Sequence, residues 1–324
     1  MGKLLEVCDL RVAFDDAEGR SSVVLHGLSF ELERGRGLAI VGESGSGKTS
    51  LALALTRLLP RNARAEGRAL LAGDDLLSLA QERLREVRGS RMALVFQHPG
   101  SALNPVIRIS GQIAEAARAH GLGRAEARAR ARKLLEEVGL GALPEATYPH
   151  QLSGGMQQRA MLAIALAAEP ALLIADEPTT ALDVVTEGEV FELLSALRAR
   201  RGLALLLVTH DLALARHCDD VLVLHAGEVV ELGPTDVVLE RPAHPYTRAL
   251  LAAAPRLDGL PEALPGLAPS PTDDHPGCRF APRCGDAEYR CRQRPPELLR
   301  FADLERRARC HLLADQYTGP EPQR

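Results

Sequence analysis

Gly42-Glu43-Ser44-Gly45-Ser46-Gly47-Lys48-Thr49 fits the phosphate-binding pattern G-x-x-x-x-G-K-[ST] without a mismatch. In front of it, Leu38-Ala39-Ile40-Val41 is a short apolar run of buried-strand type; behind it, Ser50 to Leu59 reads as a helix stopped by Pro60. Strand, loop and helix stand in the order such a loop requires. Gly42, Gly45 and Gly47 let the backbone turn tightly and aim several N–H groups at one point, where the helix N-terminus adds partial positive charge. Lys48 is placed to reach the outer phosphates and Thr49 to hold Mg²⁺, with Ser44, Ser46 and Ser50 in the same phosphate-binding set. The expected ligand is a nucleoside triphosphate. Of 39 basic residues only Lys3, Lys48 and Lys133 are lysines. Lys48 stands where a compact ammonium fits among phosphate oxygens and a planar guanidinium does not.

At 324 residues the chain predicts one large domain with an appendage, or two domains. Apolar residues make up 46% and charged residues 25%, an ordinary globular balance, and the net charge of −4 gives no footing for nonspecific nucleic-acid binding. Aromatics at 3% are too few for a base-stacking surface. Met1 to Leu10 carries Lys3, Glu6 and Asp9 and so lacks the pattern of a secretory signal. The most apolar region, Ala160 to Ala175, is broken by Glu169 and Pro170 and falls short of a membrane span. The expectation is a cytosolic protein whose membrane role, if any, is peripheral.

Leu4 to Phe14 and Val23 to Leu32 read as antiparallel strands around the acidic turn Asp15 to Arg20. Phe14 is the candidate to stack on a nucleotide base, with an ordinary core phenylalanine as the other reading. Arg68 to Gly73 and Arg91 to Phe96 look like strands, the second ending at Gln97, whose amide oxygen could contact Mg²⁺ or an attacking water. His98 and Pro99 follow. Beyond Ile107 the pattern turns helical, over Ile113 to His120 and Arg124 to Val138, and the run Arg124, Arg128, Arg130, Arg132 and Lys133 reads as a solvated helix face. Ser153-Gly154-Gly155 then opens an apolar helix, Ala160 to Ala168, as a second anion-binding terminus. With one triphosphate already held by the first loop, a second loop makes sense if it closes on the nucleotide of another subunit. Leu172 to Glu177 is an apolar strand delivering Asp176 and Glu177 at its C-terminal end, where open α/β sheets place their ligands. Asp176 is expected to serve Mg²⁺ and Glu177 to orient or deprotonate the attacking water. Leu203 to Val208 is a further buried strand ending near His210, a candidate contact to the γ-phosphate.

In order and spacing, Gly42 to Thr49, Gln97, Leu152 to Met156, Leu172 to Glu177, Ala181-Leu182-Asp183 and His210 resemble the Walker A loop, Q-loop, signature, Walker B, D-loop and H-loop of the ATP-binding-cassette (ABC) ATPases. The resemblance covers roughly residues 4 to 255. It implies an α/β P-loop NTPase core with an antiparallel β subdomain and a helical signature subdomain at about 105–165. It further implies a dimer in which each ATP is sandwiched between one subunit's Walker A and the partner's signature. Met156 departs from the family, which most often has Gln there; Ser153, Gly154 and Gly155 remain. The segments Phe96-Gln97 with Leu103-Asn104-Pro105, Tyr148 to Met156, and His244-Pro245-Tyr246-Thr247 look like the oligopeptide/dipeptide/nickel importer branch. Pro265-Gly266, Pro269 and Gly277 to Cys284 match that group's C-terminal region. The branch implies a peripheral ATPase on the cytoplasmic face of the membrane, working with permease subunits, a second ABC ATPase of the same or a different chain, and an extracytoplasmic substrate-binding protein. Nickel or another small solute is the alternative cargo, and a non-transport ABC ATPase acting on nucleic acid is the rival class.

The resulting division is an ATPase domain over 1–255 and an extension over 256–324, joined by a Pro-, Gly- and Asp-rich linker at 256–277. The extension holds four of the six cysteines, Cys278, Cys284, Cys291 and Cys310, separated by five, six and eighteen residues. In a reducing compartment such a cluster suggests a metal site or chance proximity. The gaps are wider than the C-x2-4-C pairs usual for zinc and suit the larger core of an iron–sulfur cluster. The resemblance points to a [4Fe–4S] cluster, with Zn²⁺ or unligated thiols as alternatives. Cys8 and Cys218 read as buried small residues.

Overall fold

A computed structural model describes residues 2–97, 99–180, 182–254, 264, 266–267, 269, 275–301 and 305–314. His98, Ala181, Pro265 and most of the linker reading at 256–277 lie outside the described residues. In chain order the strands are β1 (Lys3–Asp15), β2 (Ser21–Glu33), β3 (Gly37–Val41), β4 (Ala63–Leu71), β5 (Asp74–Asp75), β6 (Met92–Val95), β7 (Leu172–Asp176), β8 (Ala204–Thr209), β9 (Asp220–His225), β10 (Glu228–Pro234), β11 (Leu299–Phe301) and β12 (Arg306–Ala308). The helices are α1 (Lys48–Leu55), α2 (Gln81–Ser90), α3 (Pro99–Ala102), α4 (Ile109–Ala119), α5 (Arg124–Glu137), α6 (Gly154–Ala165), α7 (Val184–Arg201), α8 (Leu212–Ala215), α9 (Thr235–Glu240), α10 (Pro245–Ala253), α11 (Tyr289–Gln293) and α12 (His311–Ala314). Among the described residues no helix is long and apolar enough to cross a membrane.

The described chain falls into two compact units, one built from the chain start to Leu4, Leu32–Arg36 and Ser78–Val208, the other from Leu5–Glu31, Gly37–Leu77 and the residues from Thr209 on. In the first unit β6, β7 and β8 run parallel, with Val95 opposite Ala175 and Asp176 opposite Val208. Their unbroken apolar runs suit parallel strands covered on both faces. Helix α7 buries Val190, Phe191, Leu194 and Leu197, a helical stripe. It starts at Asp183, whose carboxylate accepts from the Thr186 N–H at 3.1 Å, and stops at Gly202 in the left-handed conformation. Helices α4 and α5 bury Ile109, Ile113 and Ala117, and Ala127, Ala131 and Leu134. Arg124, Arg128, Arg132 and Lys133 are exposed, as a solvated face requires, while Arg130 folds back onto Glu169 at 2.5 Å.

In the second unit β3 lies parallel to β9, and β10, β12 and β11 follow antiparallel. A separate sheet has the order β2-β1-β4-β5, with β1–β4 and β4–β5 antiparallel. The cysteine-bearing region thus adds two short strands to the edge at β10. Glu231 on β10 is fully buried and accepts from the backbone N–H groups of Ala243 and His244, both at 2.9 Å, which seats the start of α10. Burial pushes its carboxyl up, against these donors and Arg306.

Two expectations need correction, and one helix was not expected at all. Helix α1 ends at Leu55 rather than Leu59, because the Thr56 hydroxyl donates back to the Ala52 carbonyl at 2.9 Å and Arg57 turns left-handed with φ 51°. Cys8 is exposed on β1, facing away from the apolar residues beside it; Cys218 is buried as expected. Helix α2 was not anticipated, since in Gln81–Ser90 only Leu84 and Val87 are buried and the apolar pattern is too thin to read.

Candidate active site

In the second unit, β3 delivers the chain into the loop at Gly42, and α1 begins with Lys48 itself. A Cβ at Gly42 would overlap the carbonyl oxygen of Leu224, so only glycine allows β3 to leave the sheet beside β9. Gly47 has φ 102° and would drive a Cβ into Leu25. Lys48 is 5% exposed and donates from Nζ to the carbonyl oxygens of Gly42 and Glu43, each at 2.8 Å. The loop is thereby drawn around the ammonium. Ser46 Oγ is buried without a hydrogen-bond partner, an orphan hydroxyl that phosphate oxygen would satisfy. Ser44, Gly45 and Thr49 are exposed, and Ser50 is half-buried on the first turn of α1. Phe14 is half-buried near the end of β1, opposite Ala63. His210 is exposed, one residue beyond β8.

In the first unit, β7 ends at Asp176, 5% exposed. Glu177 follows with φ 45°, an uncommon turn for a side chain with a Cβ, anchored by its N–H on the Val208 carbonyl at 2.8 Å. Its Oε2 accepts from Gln97 Nε2 at 2.7 Å and from Thr180 Oγ1 at 3.0 Å. Two residues separated by 80 positions are thus brought together. Thr180 was not among the expected site residues; its hydroxyl three residues past the carboxylate was the only available signal.

The signature segment opens α6, with Ser153 Oγ accepting from the Met156 N–H at 3.3 Å. Ser153 and Gly154 are exposed. Gly155 is buried, and a Cβ on it would run into the Thr186 side chain, while one on Gly154 would lie 3.3 Å from Leu182. The signature therefore sits against the segment that holds Asp183. The Asp183 carboxylate is kept below its usual range by the Thr186 hydroxyl, which donates to it at 2.7 Å, and by the Thr186 N–H. It caps α7 and stays exposed.

Cys278, Cys284, Cys291 and Cys310, with His244, Phe280 and His311, line one small cavity in the second unit. All four are free thiols. Burial raises the Cys278 thiol to about 11 and pushes Cys284 and Cys310 up, with neighbouring thiols adding to each shift. Among the described residues no group of three or more His, Cys, Asp or Glu is arranged to hold a metal ion. The donor set suits a thiophilic centre in chemistry, and its side chains stand gathered but short of a coordination geometry.

Glu43, Tyr246 and Arg283 were also missed. Both Nη atoms of Arg283 donate to the Glu43 carboxylate, at 2.7 and 2.9 Å, and the Glu43 N–H donates to the Tyr246 hydroxyl at 2.9 Å. Arg283 holds the Glu43 carboxyl below its usual range. Glu43 occupies a position that the loop pattern leaves free, and nothing local in the sequence marks its partner 240 residues away.

An apolar parallel sheet, a glycine loop closed on a buried lysine, and paired carboxylates at a strand end define a nucleoside-triphosphatase of the α/β class. Residues 25–180 match the family described as ABC transporter, and residues 230–291 match the oligopeptide/dipeptide transporter C-terminal region. The chain is 46% identical over 300 residues to a peptide import ATP-binding protein of Brucella abortus, covering 89% of each. It is 40% identical over 327 residues to the oligopeptide transport ATP-binding protein OppD of Haemophilus influenzae, covering 98% of this chain and 99% of that one. Among solved structures, an ATP-binding cassette captured as a dimer in a post-hydrolysis state with ADP and Pi superposes with a TM-score of 0.64 at 27% identity, over 71% of this chain and 98% of that one. The chain belongs to the ABC transporter ATPases, in the oligopeptide/dipeptide branch.

Proposed function

We propose that the chain is the ATP-hydrolysing subunit of a peptide importer, docking on the cytoplasmic side of membrane permease subunits that receive cargo from an extracytoplasmic binding protein. The observation that carries the catalytic part is the contact of Gln97 and Thr180 with Glu177 at the end of β7. Gln97 and Thr180 hold the carboxylate in place through Oε2, and the carboxylate so placed accepts the proton. Water attacks the γ-phosphorus and gives a proton to Glu177, the bond to the β–γ bridging oxygen breaks, and ADP and phosphate result. Lys48 and the loop amides, from Gly42 to Thr49, stabilise phosphate charge; Phe14 stacks on the base and His210 senses the γ-phosphate. Thr49, Gln97 and Asp176 would hold Mg²⁺, which supplies charge neutralisation at the outer phosphates. Ser153, Gly154, Gly155 and Met156 serve the ATP of a second subunit, of the same or another chain, and Asp183 lies at the same junction.

Residues 1–255 form the ATPase domain and 256–324 an extension. We propose a [4Fe–4S] centre there rather than Zn²⁺ or unligated thiols, since four thiols gather in one cavity and their gaps in sequence are wider than the C-x2-4-C pairs usual for zinc. Anaerobically purified protein should then be coloured and contain iron and sulfide; a colourless protein with stoichiometric zinc would reverse the choice. For transport, the test is ATP-dependent uptake in proteoliposomes holding the chain, its permease and any partner ATPase. Peptide uptake supports the reading, and uptake of nickel without peptide would replace it with the metal-importer alternative.

A further inference from the structure

The phosphate loop is gripped from behind by the C-terminal region. Arg283 is 8% exposed and forks onto the Glu43 carboxylate through both Nη atoms, the geometry that makes an arginine–carboxylate pair directional as well as strong. Its guanidinium carbon stands 5.7 Å from the centre of the Phe280 ring. That ring packs edge-on to His225 and Tyr246, each at 5.4 Å. Tyr246 is fully buried and takes the Glu43 N–H on its hydroxyl. On the other side of the same residue, the Glu43 carbonyl oxygen is one of the two on which the Lys48 ammonium rests. One residue of the loop is therefore fixed at its side chain by Arg283 of the extension, at its N–H by Tyr246 of α10 and at its carbonyl by Lys48. Arg283 itself lies in the short 3-10 turn Ala281–Arg283, pinned by the Ala281 N–H on the Cys278 carbonyl at 2.9 Å.

From this arrangement we infer that Arg283, seconded by Tyr246, is a positioning residue for nucleotide binding: it presets the first turn of the phosphate loop through Glu43, so that ATP affinity depends on the C-terminal region of the same chain. This rests on the assignment of Gly42–Thr49 to ATP. Arg283 touches no reacting atom. Its loss weakens ground state and transition state alike, so KM for ATP rises while kcat holds.

The test uses the full chain with its partners, measuring KM and kcat for ATP, the affinity of a non-hydrolysable ATP analogue, and the melting temperature without nucleotide. Arg283→Ala is expected to raise KM and weaken analogue binding about ten- to hundred-fold with kcat little changed. Arg283→Lys keeps the charge without the fork and should fall between, which also serves if the alanine variant does not fold. Glu43→Ala should reproduce the loss, and the double variant with Arg283→Ala should be no worse than either alone. A lowered melting temperature with KM within about two-fold of the parent, or additive losses in the double variant, would overturn the inference. Lys48→Ala retaining full analogue affinity would instead remove the loop assignment, and this inference with it.

Discussion

Glu177→Gln separates binding from chemistry, because Gln97 and Thr180 donate to the same oxygen of the carboxylate. Gln97 Nε2 and Thr180 Oγ1 donate to Oε2 at 2.7 and 3.0 Å, so a glutamine that presents its amide oxygen there keeps both hydrogen bonds. What it loses is the charge on the acceptor, worth about 1 kcal/mol locally, and the ability to take a proton. If the carboxylate is the general base, turnover should fall about 10²- to 10⁴-fold, a barrier increase of roughly 3 to 5 kcal/mol. ATP affinity should stay within a few-fold, since no donor to phosphate is altered. Single-turnover hydrolysis alongside equilibrium binding of labelled ATP reads the two quantities independently. A rate loss below about tenfold would remove Glu177 from the proton-accepting role. Equal loss of binding and turnover would instead make it a structural anchor of the strand end.

Gly42→Ala should abolish ATP binding rather than weaken it, because the new methyl meets the backbone oxygen of Leu224, which cannot move without disturbing β9; binding of labelled ATP by the purified variant checks this. Phe280→Ala removes a side chain 2% exposed that packs on His225, Tyr246 and Arg283, and should cost about 3 to 5 kcal/mol in urea unfolding. Stability should also fall in acid. Burial, helped by Arg283, depresses His225 from 6.5 to about 4, so the folded state keeps it neutral while the unfolded chain protonates it. The contribution is complete above pH 6.5, is lost as the pH falls toward 4, and is bounded by about 3 kcal/mol. Urea midpoints measured across this range should drop, and His225→Asn should flatten the curve.

Elements that repeat a period within a few residues were legible in the sequence. β7 and β8 announce themselves as unbroken apolar runs, and α5 as arginines alternating with alanines around Ala127, Ala131 and Leu134. The phosphate loop was legible because its glycines have no substitute: a Cβ at Gly42 or Gly47 collides with its surroundings. Helix α2 and the early stop of α1 were not. The first buries too few apolar residues to show a stripe, and the second turns on a hydroxyl bonding back to its own helix. In the first unit the sequence marks Gln97 and Glu177 as separate candidates, but their hydrogen bond is a product of strand register, Val95 beside Ala175, which no local pattern encodes.

The use of lysine and arginine carries the same reasoning into the loop itself. Where a charge must stay on one carboxylate, the chain places Arg283, whose planar fork matches Glu43 at two points and has no reason to leave. Where a charge must exchange partners, it places Lys48, whose ammonium rests on two carbonyl oxygens and can turn to phosphate oxygens without losing hydrogen bonds. A guanidinium at 48 would be too wide for the turn between Gly42 and Gly47, and an ammonium at 283 would hold Glu43 by one contact and leave it free to rotate. Lys48→Arg should therefore fail in ATP binding despite keeping its charge, and Arg283→Lys should loosen the loop despite keeping its own. Both outcomes together would show that geometry at these two positions, and not net charge, sets the affinity for ATP.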